Sequence, residues 1–290
     1  MSRNWFVTGA SRGLGRAVVS AALAAGDRVA AALRRPADLA DLVHEHPGRL
    51  VAVPLDVTDP DAVQAAVQAA TDALGDLDVV VNNAGYADLV SIEDSTPEQF
   101  RRQIDTNLLG VVYVTKAVLP RMRERGRGHI VNVSSVGGRL GNPGLGAYQA
   151  AKWAVNGFTE VLAAEVSGLG VRVTAIEPGG MATDWSGSSM TVPTPSAPYK
   201  ETVGVLADLF QEGAIRPLGD TAKVADLVVW LAGTDDPPVR LLVGSDALAA
   251  ARAAARTTAA RDAEWEQLTR STDRDDATAA ERDPLGNEDA

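Results

Sequence analysis

Thr8-Gly9-Ala10-Ser11-Arg12-Gly13-Leu14-Gly15 stands between a short apolar run, Asn4–Thr8, and a helical pattern over Gly13–Ala25. In a turn from strand to helix, glycines at 9, 13 and 15 permit a tight bend, close approach of the backbone to a pyrophosphate, and close packing of helix on strand. The helix N-terminus then faces the phosphates with its free N–H groups. The same alternation runs on along the chain. Apolar runs at Arg28–Leu33, Leu50–Pro54, Asp78–Asn82, His129–Ser134, Val171–Ile176 and Val239–Val243 are separated by helical patterns. These fall at about Asp59–Leu74, Pro97–Arg123, Ala147–Ser167, Tyr199–Gln211 and Asp220–Ala232. Near-continuous apolar strands alternating with helices signal a parallel sheet covered on both faces. The expected fold class is α/β: a doubly wound, seven-stranded parallel sheet with helices on both sides.

Composition narrows the function. Of 290 residues, 46% are hydrophobic, ample for a core, and α/β folds of about 250 residues are often single domains. No cysteine is present, which removes disulfides and thiolate chemistry. With only His44, His46 and His129, no metal site is expected. The first two sit in a polar helix-to-strand connection and the third opens a strand; all three read as solvated. A net charge of −11 repels a phosphate backbone, so no nucleic-acid partner is expected. No apolar run approaches the roughly 20 residues that span a bilayer. Met1-Ser2-Arg3-Asn4 leads straight into the first strand and leaves no room for a signal peptide. A cytoplasmic protein with no membrane partner is the expectation.

The chemistry gathers at the carboxyl ends of the strands. Binders of NAD usually place an acid after the second strand, against the ribose 2′-hydroxyl. Here that strand ends Ala31-Ala32-Leu33-Arg34-Arg35, without an acid, and Arg12 lies in the glycine turn. Guanidiniums there suit the bidentate hydrogen bonding of a 2′-phosphate, so NADP(H) is the expected cofactor. Asp56 and Val57 end the third strand and are placed at the adenine, although Asp56 could equally cap the next helix. Asn82-Asn83-Ala84-Gly85 ends the fourth; Asn82, Ala84 and Gly85 are read as a flat floor for the cofactor. Pro178, Gly179, Met181 and Thr183 follow the sixth strand and are read as a cradle for a carboxamide. Tyr148 and Lys152 are four residues apart and share one helix face. The ammonium favours the phenolate and so makes the phenol a better proton donor or acceptor. Ser135 precedes the tyrosine by thirteen residues and presents a hydroxyl at the same edge; Ser134 beside it is the competing choice. Asn107 lies inside a long helical pattern, where it holds a water by a local distortion, faces solvent, or is structurally bonded.

These segments, in this order, resemble the short-chain dehydrogenase/reductase family, with a Rossmann fold, over about residues 4 to 245. The resemblance implies that the turn through Gly9, Ser11, Arg12, Gly13, Leu14 and Gly15 binds the pyrophosphate. It implies a tetrad of Asn107, Ser135, Tyr148 and Lys152. Tyr148 exchanges a proton with the substrate oxygen and Ser135 hydrogen-bonds it. Lys152 holds the ribose hydroxyls and lowers the pKa of the phenol, and Asn107 positions a water leading to solvent. The Ala-Ala-Leu-Arg run, the Glu-Pro-Gly-Gly-x-x-Thr-Asp-Trp segment and the extended C-terminus resemble the branch near 17β-hydroxysteroid dehydrogenase type 1 and its bacterial relatives. Many tetrameric members carry Asp-Gly-Gly after the seventh strand. Val243-Gly244-Ser245-Asp246 stands here instead, so the homo-oligomer is left as dimer or tetramer.

Residues 1–245 are thus expected to form the domain, with a lid near 184–212 whose start, Asp184–Pro198, is rich in Ser, Thr and Pro. Residues 246–270 read as a helical extension in which Leu248, Trp265 and Leu268 pack on the subunit or across a dimer. Residues 271–290, with seven acids and two arginines, read as a disordered tail. Tyr86, Arg139, Leu140, Asn142, Trp153, Met181, Trp185 and Met190 are candidates for a substrate wall over Ser135 and Tyr148, unless they are core. Their bulk suggests a hydrophobic small molecule carrying a carbonyl or secondary alcohol. The expected activity is an NADP(H)-dependent ketoreductase or alcohol dehydrogenase. Two other classes stay open. One is an epimerase or dehydratase that retains its cofactor, which cofactor release after each turnover would disfavour. The other is a non-catalytic NADP(H) sensor, which inactivity on a broad carbonyl panel would favour.

Overall fold

The computed structural model describes residues 2–181, 190–212 and 216–286. Its strands are β1 (Asn4–Thr8), β2 (Arg28–Leu33), β3 (Leu50–Pro54), β4 (Val79–Asn82), β5 (Ala87–Asp88), β6 (Gly128–Val133), β7 (Val171–Pro178), β8 (Met190–Thr191) and β9 (Arg240–Val243). Seven of them form one parallel sheet in the order β3-β2-β1-β4-β6-β7-β9. The chain begins at the centre, builds outward through β2 and β3, then crosses back to β4. Between β1 and β4 the strand order reverses, and a crevice opens there at the carboxyl ends, where open α/β sheets bind ligands. The separate pair β5–β8 is also parallel.

The helices are α1 (Gly13–Ala24), α2 (Ala40–Glu45), α3 (Pro60–Leu74), α4 (Pro97–Ile104), α5 (Gly110–Arg125), α6 (Gly146–Glu165), α7 (Val205–Gln211), α8 (Thr221–Ala232), α9 (Ser245–Arg270) and α10 (Ala279–Arg282). Strand periodicity sorts the core into two layers. Trp5 and Val7 join Val18, Leu23, Val228 and Leu231 of α1 and α8 on one face. Phe6, between them in sequence, joins Val63, Val67, Val114, Val118 and Leu162 of α3, α5 and α6 on the other. Helix starts follow capping chemistry: Asp59 accepts from the amides of Asp61 and Ala62, Thr96 and Gln99 form a capping box, and Asp220 caps α8.

Several expectations need amendment. The long helix foreseen at Pro97–Arg123 is α4 and α5 joined by a π-helical turn over Asp105–Leu109. The stretch Tyr199–Gln211 likewise resolves into a 3₁₀ turn at Ala197–Tyr199, a π turn at Lys200–Gly204 and then α7. His129 is not solvated: it is fully buried in β6 between β4 and β7. Its Nε2 lies 3.0 Å from Thr174 Oγ1. That hydroxyl already donates to Pro238 O at 3.0 Å, so it accepts from the ring and Nε2 carries the proton. Nδ1 has no partner. Burial, with Arg172 adding to it, pushes the imidazole pKa down to about 3.

Helix α9 rests on the body through its first turns, where Ala247 and Ala251 are buried against β9 and the turn Val136–Gly138. At 1.5 Å per residue its 26 residues extend about 39 Å, and every residue of the helix from Ala255 to Arg270 is exposed. Leu248, Trp265 and Leu268, expected to pack, are exposed within the single chain. In the segment after it, Thr278 and Glu281 cap the one turn of α10, and the ion pairs Arg274–Glu281 and Arg282–Asp273 are local.

Candidate active site

The crevice is stitched at its base by two neighbouring strand ends. Thr8 Oγ1 accepts from the amides of Asn83 at 3.0 Å and Ala84 at 3.1 Å. Asn83 Nδ2 donates to the carbonyls of Thr8 at 3.0 Å and Gly9 at 3.1 Å. Gly9 and Gly13 take positive φ, 65° and 54°, which side chains resist. Gly15 is a matter of space: a Cβ there would meet Gly9 O at 2.4 Å. The first turn of α1 has no side-chain cap and no acid, so its orphan N–H groups are offered to an anion. Leu14 is buried in the core, and only its backbone is available to a ligand. Ser11 is half-buried and Arg12 exposed beside it. Arg34 is exposed at the end of β2; Arg35 is paired with Asp38 at 3.2 Å.

Asn82 departs from its expected place on the floor. Its side chain turns into the sheet, donating to Asn132 Oδ1 at 2.9 Å, and Asn132 donates in turn to Thr159 Oγ1 at 2.9 Å. Asn83, which the sequence reading passed over, is the residue that holds the glycine turn. Ala84 and Gly85 stay at the crevice edge. Asp56 does not cap α3, a role taken by Asp59; its carboxylate accepts from Thr58 N and Oγ1 and is exposed, while Val57 is buried against Gly110.

Ser135, Tyr148 and Lys152 meet at the end of β6. Ser134 is buried, its hydroxyl donating to Lys152 O at 3.3 Å, so it is occupied in fastening α6. Ser135 Oγ accepts from Gly137 N at 3.0 Å and hydrogen-bonds the Tyr148 phenol. Lys152 Nζ donates to Val133 O at 2.8 Å and lies 5.6 Å from the Tyr148 ring centroid. Burial dominates both titrations. It pushes the phenol up to about 12, against the lowering by Ser135, and the ammonium down to about 8. The phenol's shift comes from burial and from Ser135 rather than from the Lys152 charge that the spacing suggested. Asn107 is fully buried in the π turn. Its Nδ2 donates to Tyr86 O at 2.9 Å and Gln103 O at 3.0 Å, and its Oδ1 accepts from Tyr86 N at 3.2 Å. The turn swings this amide to the edge where Gly85 and Lys152 lie.

The expected substrate wall is scattered. Met190 packs with Tyr148, Leu89 and Leu145 in an apolar cluster. Tyr86 is half-buried; burial and then the Asp88 charge raise its pKa. Met181 bridges to Gly219. Trp153 is 53% exposed, on the outside of α6, where Nε1 approaches Leu140 O at 3.4 Å. Asn142 is exposed and its amide donates to Gln149 Oε1 at 2.7 Å. Arg139 directs its guanidinium to Glu177 rather than to the crevice. Pro178 and Gly179 stand at the end of β7, with Gly180 N donating to Asp246 Oδ2 at 2.8 Å. Thr183 and Trp185 lie outside the described residues. Among the described residues no cluster of His, Cys, Asp or Glu could hold a metal ion, and no helix is long and apolar enough to cross a membrane.

Residues 3–191 match the family model of the short chain dehydrogenases. The chain belongs to that family. Oxidoreductase BOA17 of Botryotinia fuckeliana is 49% identical over 269 residues, covering 92% of this chain and 98% of the relative. The crystal structure of a short-chain dehydrogenase from Streptomyces avermitilis superposes with TM-score 0.88 at 38% identity, over 94% of this chain and 98% of that one. Two further structures show the family's cofactor chemistry. A serine dehydrogenase complexed with NADP⁺ has TM-score 0.72 at 30% identity, covering 83% and 94% of the two chains. A 3-oxoacyl-[acyl-carrier protein] reductase from Brucella melitensis with bound NAD has TM-score 0.68 at 34% identity, covering 83% and 89%. This short-chain dehydrogenase is thus an oxidoreductase of a family that binds nicotinamide cofactors.

Proposed function

We propose that this short-chain dehydrogenase uses NADP(H) to interconvert a carbonyl and a secondary alcohol on a hydrophobic small molecule. The observation that carries the reading is the meeting of half-buried Ser135 with buried Tyr148 and Lys152 at the end of β6. A phenol held near 12 keeps its proton at neutral pH, which suits donation to a developing alkoxide. Ser135 steadies that oxygen by its hydroxyl. Lys152 and Asn107 lie on the path by which the phenol regains its proton.

The uncapped start of α1 and the packed approach of Gly15 to Gly9 fit a pyrophosphate. Gly85 would floor the nicotinamide half, Gly179 and Met181 would flank it, and Lys152 would reach the ribose. The cofactor supplies the hydride when bound. Exposed Arg34, with no acid at the end of β2, supports the 2′-phosphate; Arg12 adds a second guanidinium. The apolar cluster of Met190, Leu89 and Leu145 against Tyr148 supports a hydrophobic substrate.

A panel of aliphatic, aromatic and polycyclic ketones, with NADPH and NADH in parallel and followed by loss of reduced-nicotinamide absorbance, tests this. Turnover should need a carbonyl, favour NADPH, and fall by about 10²–10⁴-fold in Tyr148→Phe while NADPH binding persists. More than about a tenth of wild-type kcat in that variant would remove Tyr148 from the chemistry.

A further inference from the structure

Glu177 is fully buried yet carries two guanidiniums. Arg139 Nε lies 2.7 Å and Nη2 2.5 Å from Oε2. Arg240 Nε lies 2.9 Å and Nη2 2.5 Å from Oε1. Arg240 Nη1 continues to Glu160 at 2.8 Å on α6. Each oxygen of one carboxylate is thus forked by a different arginine, a geometry with little rotational freedom left. Burying a carboxylate is costly, and such pairs contribute little net stability compared with apolar packing. What this one does provide is position.

The sequence places its three members where position matters. Arg139 ends the short turn Val136–Gly138 that begins at Ser135. Glu177 immediately precedes Pro178 and Gly179. Arg240 opens the edge strand β9, whose Val243 O accepts from Gly179 N at 3.0 Å. The turn after Ser135 has a second brace, Asn156 Nδ2 donating to Gly138 O at 3.1 Å, but Arg139 is its tie to β7.

The geometry points to Glu177 as a positioning residue: through Arg139 it fixes the spacing between the Ser135 hydroxyl and the Gly179 loop, and so between the substrate oxygen and the nicotinamide. This rests on the functional reading above, in which Ser135 meets substrate and Gly179 meets cofactor. Displacements of about 1 Å at such a site can cost about 10²-fold in rate.

Arg139→Gln is the primary test, because Arg139 is partly exposed and its loss leaves Glu177 paired with Arg240. Glu177→Gln and Arg139→Lys complete the set. Two measurements are made: kcat and KM for the best ketone, and hydrogen exchange of the 135–139 and 177–181 segments in the cofactor-free chain. Arg139→Gln should lower kcat about tenfold or more with KM within about threefold. It should quicken exchange in both segments and lower the melting temperature less than Glu177→Gln does, since Arg240 stays paired. Arg139→Lys, which has one ammonium in place of a fork, should fall between. Glu177→Gln should show the same two-segment exchange, even if it melts lower. Unchanged kcat would overturn the proposal, as would exchange that quickens in 135–139 alone, or a rise in KM alone, which would make Arg139 a substrate contact. Because exchange is read without turnover, a wild-type enzyme that reduces no carbonyl would defeat the functional reading and still leave the coupling to be decided by the two segments.

Discussion

Gly85→Ala adds a single methyl and tests how the floor of the site is built. A Cβ at Gly85 would lie 2.6 Å from Asn107 Oδ1 and 3.8 Å from Lys152 Nζ, where ordinary contact begins at 3.4 Å. The first contact is short by about 0.8 Å, more than an amide can absorb while keeping its bonds. Asn107 is fully buried and makes three hydrogen bonds, to Tyr86 N, Tyr86 O and Gln103 O. Displacing it leaves buried polar atoms unpaired at about 1–3 kcal/mol each. Some relaxation of the exposed Gly85 turn offsets this, for a net loss of about 2–3 kcal/mol. For a domain of this size that lowers Tm by roughly 5–10 °C. The kcat of ketone reduction should fall at least about tenfold, since the amide beside Lys152 has moved. A double-mutant cycle with Asn107→Ala separates clash from general damage. With the amide gone the methyl has room, so the double variant should be less destabilised than the two singles together by about 1 kcal/mol or more. Differential scanning calorimetry and urea titration measure both. Additive losses, or a Gly85→Ala protein within about 2 °C of wild type, would show that Asn107 does not depend on the bare backbone at Gly85.

His129 makes stability sensitive to acid. Its pKa, depressed to about 3 from an ordinary 6.5, means that the neutral ring's contribution is complete above pH 6.5 and is lost as pH falls toward 3, at up to about 1.4 kcal/mol per pH unit. His129→Gln, compared by urea titration at pH 7.5 and 5, should flatten that slope, and an equal slope in both proteins would refute the assignment. Arg34→Asp should move the ratio of kcat/KM for NADPH over NADH by at least about tenfold toward NADH, a charge-assisted hydrogen bond being worth about 1.5–3 kcal/mol; an unchanged ratio would make Arg34 a solvated loop residue. Truncation after Arg270 should leave Tm and kcat almost unaltered, whereas truncation after Ser245 removes Asp246 from Gly180 N and should lower Tm or raise KM for bulky ketones. Equal results from the two truncations would contradict this.

The sheet was legible because its signals are local. Apolar runs of β-branched residues and the glycine spacing from 9 to 15 need no partner to be read, and Tyr148 and Lys152 pair by their spacing on one helix face. The π turn at Asp105–Leu109 was legible only as a polar residue in a helical pattern. Side-chain direction was not legible. Asn82 and Asn83 are adjacent and chemically identical, yet Asn82 ends β4 and bonds Asn132 while Asn83, just past the strand, holds the glycine turn. His129 read as solvated because its burial comes from two strands far away in sequence. Arg139 read as a pocket residue because its partner, Glu177, is 38 positions on. The depressed lysine and elevated phenol depend on depth, which a sequence does not state.

The small pair of β5 and β8 ties the chain just past Gly85 to the segment that leads to α7. Ala87–Asp88 lies just past Gly85, and Met190–Thr191 leads the segment that carries Tyr199 and α7. Leu89 N donates to Thr191 O at 2.8 Å, Tyr199 reaches Glu93 at 2.5 Å, and Ser196 N meets Asp94 at 3.2 Å. The two lips of the mouth are one hydrogen-bonded body. In the proposed reading a dinucleotide on Gly85 would steady one lip, and by thermodynamic reciprocity whatever steadies the other would tighten the dinucleotide by the same factor. A bound ketone should therefore tighten nucleotide binding by the same factor as the nucleotide tightens ketone binding, read by titrating each in the presence of the other.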